Sequence, residues 1–330
     1  PFRRWRPKPR PSGSPEMATH RAPRVFARAV TRLKLRPLRL LVAAGQHQNI
    51  QAAAQDLQIS QPAATKMIQD LEADFEVRLF DRTNRGAIPT AQGAALIRHA
   101  QVMLAQLSNA TQEIEDLVGG MAGRVVVGTL LAGAAHLVPA AMDHVLRDRP
   151  NVTFRLVEGT NEVLMPRLRN GELDMVVGRM PTHRHRVGLM QPPLTQDDVI
   201  LVVGPSHPLG GRTGLTFEDL RPYGWILPPP ETTLRRQIDS VFVEQAQYQP
   251  PLVVESVNYV ANRTLLGFGR LIGLAPRQAV ALDAAQNLLR PLDYALPFGF
   301  GPIGVTHRGP EHLSPAAQLF LQALQDIAQR

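Results

Sequence analysis

The spacing of apolar positions changes twice along this chain. Between Asn49 and Phe75 it is that of short helices. Ile50, Ala53, Ala54 and Leu57 fall at i, i+3, i+4 and i+7, and after a break at Ser60-Gln61-Pro62 the positions Ala64, Met67, Ile68, Leu71 and Phe75 repeat the pattern. A preceding helix is predicted from Arg36 to about Gly45. The segment VRLFDRTNRGAIPT after Phe75 reads as two short strands joined by a turn at Asn84-Arg85-Gly86. Thr90 then has the chemistry of an N-cap for a long helix, Ala91 to about Val118, stopped by Gly119-Gly120. Within it Leu96, Ala100, Met103, Leu107, Ala110, Ile114 and Leu117 follow an unbroken 4-3 spacing. Such a narrow a/d seam predicts pairing with a second helix, so this is read as a dimerisation helix.

From Gly123 the grammar becomes strand–helix alternation. GRVVVGTL, VTFRLVEG and LDMVVGRM read as buried strands separated by helices at 134–149 and 161–170. DDVILVVG, LVVESV and LIGLAP form a second set, with helices around Thr232–Gln247 and Tyr259–Phe268. Near-continuous Val/Ile/Leu strands predict parallel sheet covered on both faces, in two lobes. A last helix is expected from Ser314 to Ile327. In sheets of this type ligands bind beyond the carboxyl ends of strands, so a cleft between lobes is the expected ligand site.

The helix pair at 49–75 places Gln61, Pro62, Thr65, Lys66 and Gln69 on one outward face. This is a helix-turn-helix, and such a strip of short donors and acceptors fits the major groove. Asn49 and Ser60 are the expected caps of its two helices, and Pro62 lies in a first turn that does not need its missing N–H. Free N–H groups there can meet a phosphate. Gln61, Thr65, Lys66 and Gln69 are the candidates for base edges, Lys suiting guanine and Gln adenine. Arg36 and Arg39 are placed to support the first helix against DNA.

Charge changes the picture less than the net +8 suggests. Residues 1–39 hold 12 of the 36 Lys and Arg residues against one acid, leaving 24 basic against 27 acidic side chains elsewhere. Residues 1–34 are expected to be a basic, disordered extension, with residues 1–16 upstream of the natural beginning near Met17. The alternative is an arm that adds phosphate attraction. The chain contains no cysteine, which excludes disulfides, thiol catalysis and thiolate metal sites and fits a cytoplasmic location. No apolar run approaches the roughly 20 residues that cross a bilayer, so no membrane partner is expected.

The run AAAQDLQISQPAATKMIQDLEADFEVRLFDRTNRGAIPTAQG resembles the N-terminal signature of LysR-type transcriptional regulators. The layout of the rest is similar to that family as well. VVVGTLLAG, EGTNEVLMPRLRNGELDMVVGRMP and GLAP look most like the branch regulating sugar-binding-protein and aromatic-acid operons. The resemblance implies an α/β chain with a winged helix-turn-helix at 35–90 (motif 49–68) and a linker helix at 91–120. A two-lobed periplasmic-binding-protein-like effector domain would follow at 121–330, with lobe I about 123–194 plus 296–330 and lobe II about 195–295. It implies double-stranded promoter DNA as partner, self-association to a dimer or tetramer, and RNA polymerase if the protein activates. Arg82 and Arg85 would lie on the wing, against phosphate or the minor groove. A small organic effector, with no other cofactor, would meet Thr129, Leu130, Thr160, Asn161, Arg179, Thr232 and Thr233. Helix N-termini plus Arg179 would favour an anion, while a neutral sugar stays open. Two departures stand out. Thr65 replaces the usual Ser, and Glu76 replaces a Gly that commonly takes positive φ.

Competing readings are weaker. His183 and His185 lack the further ligands a metal site needs, so no metal is expected. Gly267–Gly273 lacks the dinucleotide fingerprint, and no catalytic constellation is evident, so the chain is not read as an enzyme. An effector-independent architectural DNA binder remains the alternative.

Overall fold

The computed structural model describes residues 31–83, 86–118, 123–180, 188–246, 251–296 and 301–329. Most of the basic extension, together with Arg85, Gly119-Gly120, His183 and His185, lies outside the described residues, as do the side chains of Arg82 and Leu117. Two compact units divide between Leu104 and Ala105, within one long helix.

The first unit contains α1 (Leu35–His47), α2 (Ile50–Asp56), α3 (Gln61–Phe75), β1 (Phe80–Thr83), β2 (Gly86–Pro89) and the start of α4 (Ala91–Val118). The helices α2, α3 and α4 begin where their caps are. Asn49 Oδ1 accepts the N–H groups of Gln51 and Ala52 at 2.8 and 3.2 Å, and Ser60 Oγ accepts that of Ala63 at 3.4 Å. Leu38, Leu41, Ala53, Ala64, Ile68, Leu71, Leu79 and Ala100 fill one core. The helix α3 ends at Glu76, whose φ of 54° is left-handed, as the usual glycine there implies. Glu72 joins α3 to the wing, its Oε1 accepting from Leu79 N at 2.7 Å and Phe80 N at 3.4 Å. The wing strands pair antiparallel, Phe80 opposite Pro89. Thr90 Oγ1 donates to Arg78 O at 2.8 Å and accepts from Gly93 N at 3.0 Å, which caps α4. Gly93 must be glycine, because a Cβ there would sit 1.9 Å from Leu79 O.

Along α4 the heptad seam is divided. Ala100 is fully buried and Leu96 half-buried in the core of the first unit. Ala100 has no surface left for a partner helix, which corrects its assignment to the pairing seam. Met103, Leu107, Ala110 and Ile114 are exposed.

In the second unit, β3 (Arg124–Thr129), β4 (Thr153–Glu158), β5 (Met175–Arg179), β6 (Pro193–Thr195) and β12 (Ile303–His307) form one sheet in the order β4-β3-β5-β12-β6. A second sheet has the order β11-β7-β10-β8-β9, from β7 (Val199–Val203), β8 (Gly224–Leu227), β9 (Leu252–Glu255), β10 (Leu271–Pro276) and β11 (Arg290–Pro291). Between strands run α5 (Leu131–Ala134), α6 (Leu137–Asp148), α7 (Asn161–Arg169), α8 (Phe217–Leu220), α9 (Thr233–Ala246), α10 (Tyr259–Gly267) and α11 (Arg277–Ala285), and α12 (Pro315–Ala328) closes the chain. The sheets are mixed and not purely parallel, a correction to the sequence expectation. β12 is antiparallel to β5 and β6, and β7 is antiparallel to β10 and β11. Hydrophobic runs such as β7, with all five residues buried, report burial on both faces but not strand direction. The chain passes between the two lobes at 196–198, and again between β11 and β12.

Candidate nucleic-acid interface and effector cleft

On α3, Gln61, Pro62, Thr65, Lys66 and Gln69 line one concave surface together with Asp70. Thr65 is half-buried and the others are exposed. The periodicity that turns Ala64, Ile68 and Leu71 inward is what leaves these positions outward. Asp70 is the member that sequence reasoning missed. It is one of four acids between Asn49 and Phe75, against the single base Lys66. Asn49 and Ser60 direct their side-chain oxygens at their own helix N-termini, and Arg36 is exposed on α1 without lining this surface.

A cavity of about 460 Å³ lies between the two lobes of the second unit. Of the seven effector candidates, Leu130, Thr160, Asn161, Arg179, Thr232 and Thr233 line it. Thr129 does not. It is fully buried at the end of β3, its hydroxyl directed at the carbonyls of Leu130 and Val177, both 3.1 Å away, so it ties strands and cannot touch a ligand. Thr160 stands at the N-cap of α7 yet makes no capping bond, whereas Thr232 Oγ1 caps Arg235 N at 3.3 Å and donates to Pro229 O at 2.7 Å. The 95% buried Asn161 donates from Nδ2 to Arg179 O at 3.3 Å and leaves Oδ1 without a partner.

Lobe II contributes residues that sequence reasoning passed over: Ser256, Asn258 and Asn262, after β9 and in α10. Asn262 also has an unpartnered Oδ1. The available signal was the rule of strand carboxyl ends, which β9 satisfies as β3, β4 and β5 do. Glu158 and Glu162 lie on the lobe I side, and Arg236 of α9 approaches Glu162 at 3.9 Å. Apolar walls come from Leu131, Met180, Val199, Ile226 and Leu274.

Arg179 is not a free anion receptor, which corrects the role expected for it. Its Nη1 donates to Gly301 O at 2.7 Å and its Nη2 to Asp197 O at 2.9 Å. Burial pushes its pKa below the ordinary range, with Asp197 and Asp198 acting in the opposite direction. Asp197 is itself buried, and loss of hydration raises its carboxyl.

Residues 35–94 match the bacterial regulatory helix-turn-helix protein family of LysR type, and residues 119–329 match the LysR substrate binding domain. The chain belongs to the LysR family of transcriptional regulators. This LysR-type regulator is 33% identical over 311 residues to the HTH-type transcriptional regulator GbpR of Azospirillum brasilense, covering 93% of this chain and 90% of that protein. The match falls in the branch that the later motifs suggested. Its fold is that of the crystal structure of CbnR, a LysR family transcriptional regulator, with TM-score 0.62, 22% identity and coverage of 90% of this chain and 100% of that one. CbnR has also been solved in full length with its target DNA, at TM-score 0.61 and 22% identity, covering 89% and 99%. The effector binding domain of QuiR in complex with shikimate aligns at TM-score 0.54 and 22% identity, over 63% of this chain and 97% of that one. The LysR-type regulator is thus a DNA-binding transcription regulator with a small-molecule effector domain. Among the described residues, no helix is long and apolar enough to cross a membrane, and no cluster of metal-ligating side chains occurs.

Proposed function

We propose that this regulator reads promoter DNA with one face of α3 and changes its grip when a small organic molecule fills the cleft between its lobes. The observation that carries the DNA half is the shared surface of Gln61, Pro62, Thr65, Lys66 and Gln69. Arg82 and Arg85 of the wing supply phosphate attraction, since α3 has one base among its outward residues. Two chains pair through Met103, Leu107, Ala110, Ile114 and Leu117 on α4, and dimers associate further into a tetramer. The regulator works in the cytoplasm by binding and not by catalysis, and it contacts RNA polymerase where it activates.

The ligand half rests on the cavity of about 460 Å³ and on Thr160 and Asn161 of lobe I lining it opposite Thr233, Ser256 and Asn262 of lobe II. As shikimate occupies the QuiR effector domain, a small hydroxylated molecule occupies this one. Occupancy shifts lobe closure only if the ligand binds one arrangement better than the other. The test is a thermal-shift screen of the full-length chain against small hydroxylated metabolites, repeated with Thr233→Trp, which fills the cavity. A hit that stabilises the wild type and not the variant supports the reading. A hit unaffected by the variant, or a panel of hits that leaves DNA binding unchanged, overturns it.

A further inference from the structure

The second unit has two chain crossings between its lobes, and one side chain holds both. Arg179 ends β5 in lobe I, yet its guanidinium donates to Asp197 O in the outgoing crossing at 2.9 Å and to Gly301 O in the returning one at 2.7 Å. The outgoing crossing is tied to lobe II as well. Asp197 Oδ1 accepts Gln278 N at 3.4 Å, and Asp198 O accepts Arg277 N at 2.8 Å, both at the start of α11. Arg179 therefore connects lobe I, both crossings and, through Asp197, the first turn of α11 in lobe II.

We propose that Arg179 is the positioning residue of the hinge: it fixes the resting separation of the lobes by holding the two crossings in register. Guanidinium geometry suits this task, because two nitrogens on one rigid plane reach two carbonyl groups at once. A lysine ammonium is a single point and cannot reproduce that span. Partial burial strengthens the hold, since water competes less for the two carbonyls. Arg179 also lines the cleft, and its own carbonyl accepts from Asn161, another lining residue. A ligand pressing on either residue thus acts on the hinge directly.

The chain contains no cysteine, so two introduced thiols can be labelled uniquely in the full-length protein. Asp148→Cys in lobe I and Gln286→Cys in lobe II are both exposed positions for spin labels. The distance distribution between labels is expected to be narrow with Arg179, at least twice as broad with Arg179→Met, and intermediate with Arg179→Lys. A merely structural role would lower the melting temperature without broadening the distribution. Should Arg179→Met fail to fold, Arg179→Lys alone still decides, because its donors share one nitrogen and cannot span the two carbonyls that Nη1 and Nη2 reach separately. A distribution in either folded variant that superposes on the wild type overturns the proposal. The measurement uses no ligand, so its failure would leave the effector reading of the cleft standing.

Discussion

Truncating Leu107 isolates the contribution of α4 to pairing. Leu107 is 46% exposed in the single chain and lies on the 4-3 seam with Met103, Ala110 and Ile114. Fully burying a leucine contributes roughly 1.5–3 kcal/mol, so covering the exposed half against a partner contributes about 1 kcal/mol. A residual cavity in the alanine variant raises the loss to about 1–1.5 kcal/mol per chain. Two-fold symmetry places the substitution twice in the interface, so the dimer loses about 2–3 kcal/mol. That corresponds to a roughly 30- to 150-fold weaker dimer. Alanine keeps the helix, so helicity is expected to stay level. Sedimentation equilibrium of full-length Leu107→Ala over a wide concentration range reads the dissociation constant, with Ser108→Ala, exposed and off the seam, as control. A change below threefold in a folded Leu107→Ala protein would refute the pairing role of the seam.

Further outcomes are expected from other substitutions. Gly93→Ala should destabilise the first unit by about 2 kcal/mol in urea unfolding, because the overlap with Leu79 O outweighs a helix-propensity gain of about 1 kcal/mol. Glu76→Gly should stabilise it by roughly 0.5–1 kcal/mol by relieving the left-handed φ, and an unchanged urea midpoint would count against that strain. Lys66→Ala should cost about 1–3 kcal/mol on the operator and less on unrelated DNA, while Asp70→Asn should tighten binding to both; titrations on the two DNAs separate these. Desolvation lowers the pKa of the buried His207 and His307 below the ordinary 6.5. Their stabilising contribution is therefore complete above about pH 6.5 and lost as pH falls towards their folded values. His207→Gln should flatten part of the acid limb in melting curves measured between pH 7.5 and 5.

The parts of this structure that were legible in sequence are those set by neighbours along the chain. The caps Asn49, Ser60 and Thr90, the turn of α3 and the exposed strip of Gln61 to Gln69 all follow from local spacing. What escaped depends on distant partners. The mixed sheet of lobe I arises because β12 returns, more than 120 residues after β5, to pair with it antiparallel. The resemblance placed Thr129 against a ligand, but the Val177 carbonyl beside it claims its hydroxyl. Arg179 was read as an anion receptor on the same resemblance, but its Nη1 donates to the Gly301 carbonyl, 122 positions away. Asp70 escaped because only the folded α3 shows it sharing one surface with Lys66 and Gln69.

Regulation as proposed requires the outward face of α3 to read a defined DNA sequence. Footprinting of the full-length regulator on the DNA upstream of its own coding sequence, beside a Thr65→Val and Lys66→Ala variant, tests it most directly. The wild type is expected to protect a discrete segment, and the variant to lose that protection or spread it along the DNA. An identical footprint from both proteins, or wild-type coverage indifferent to sequence, would contradict it.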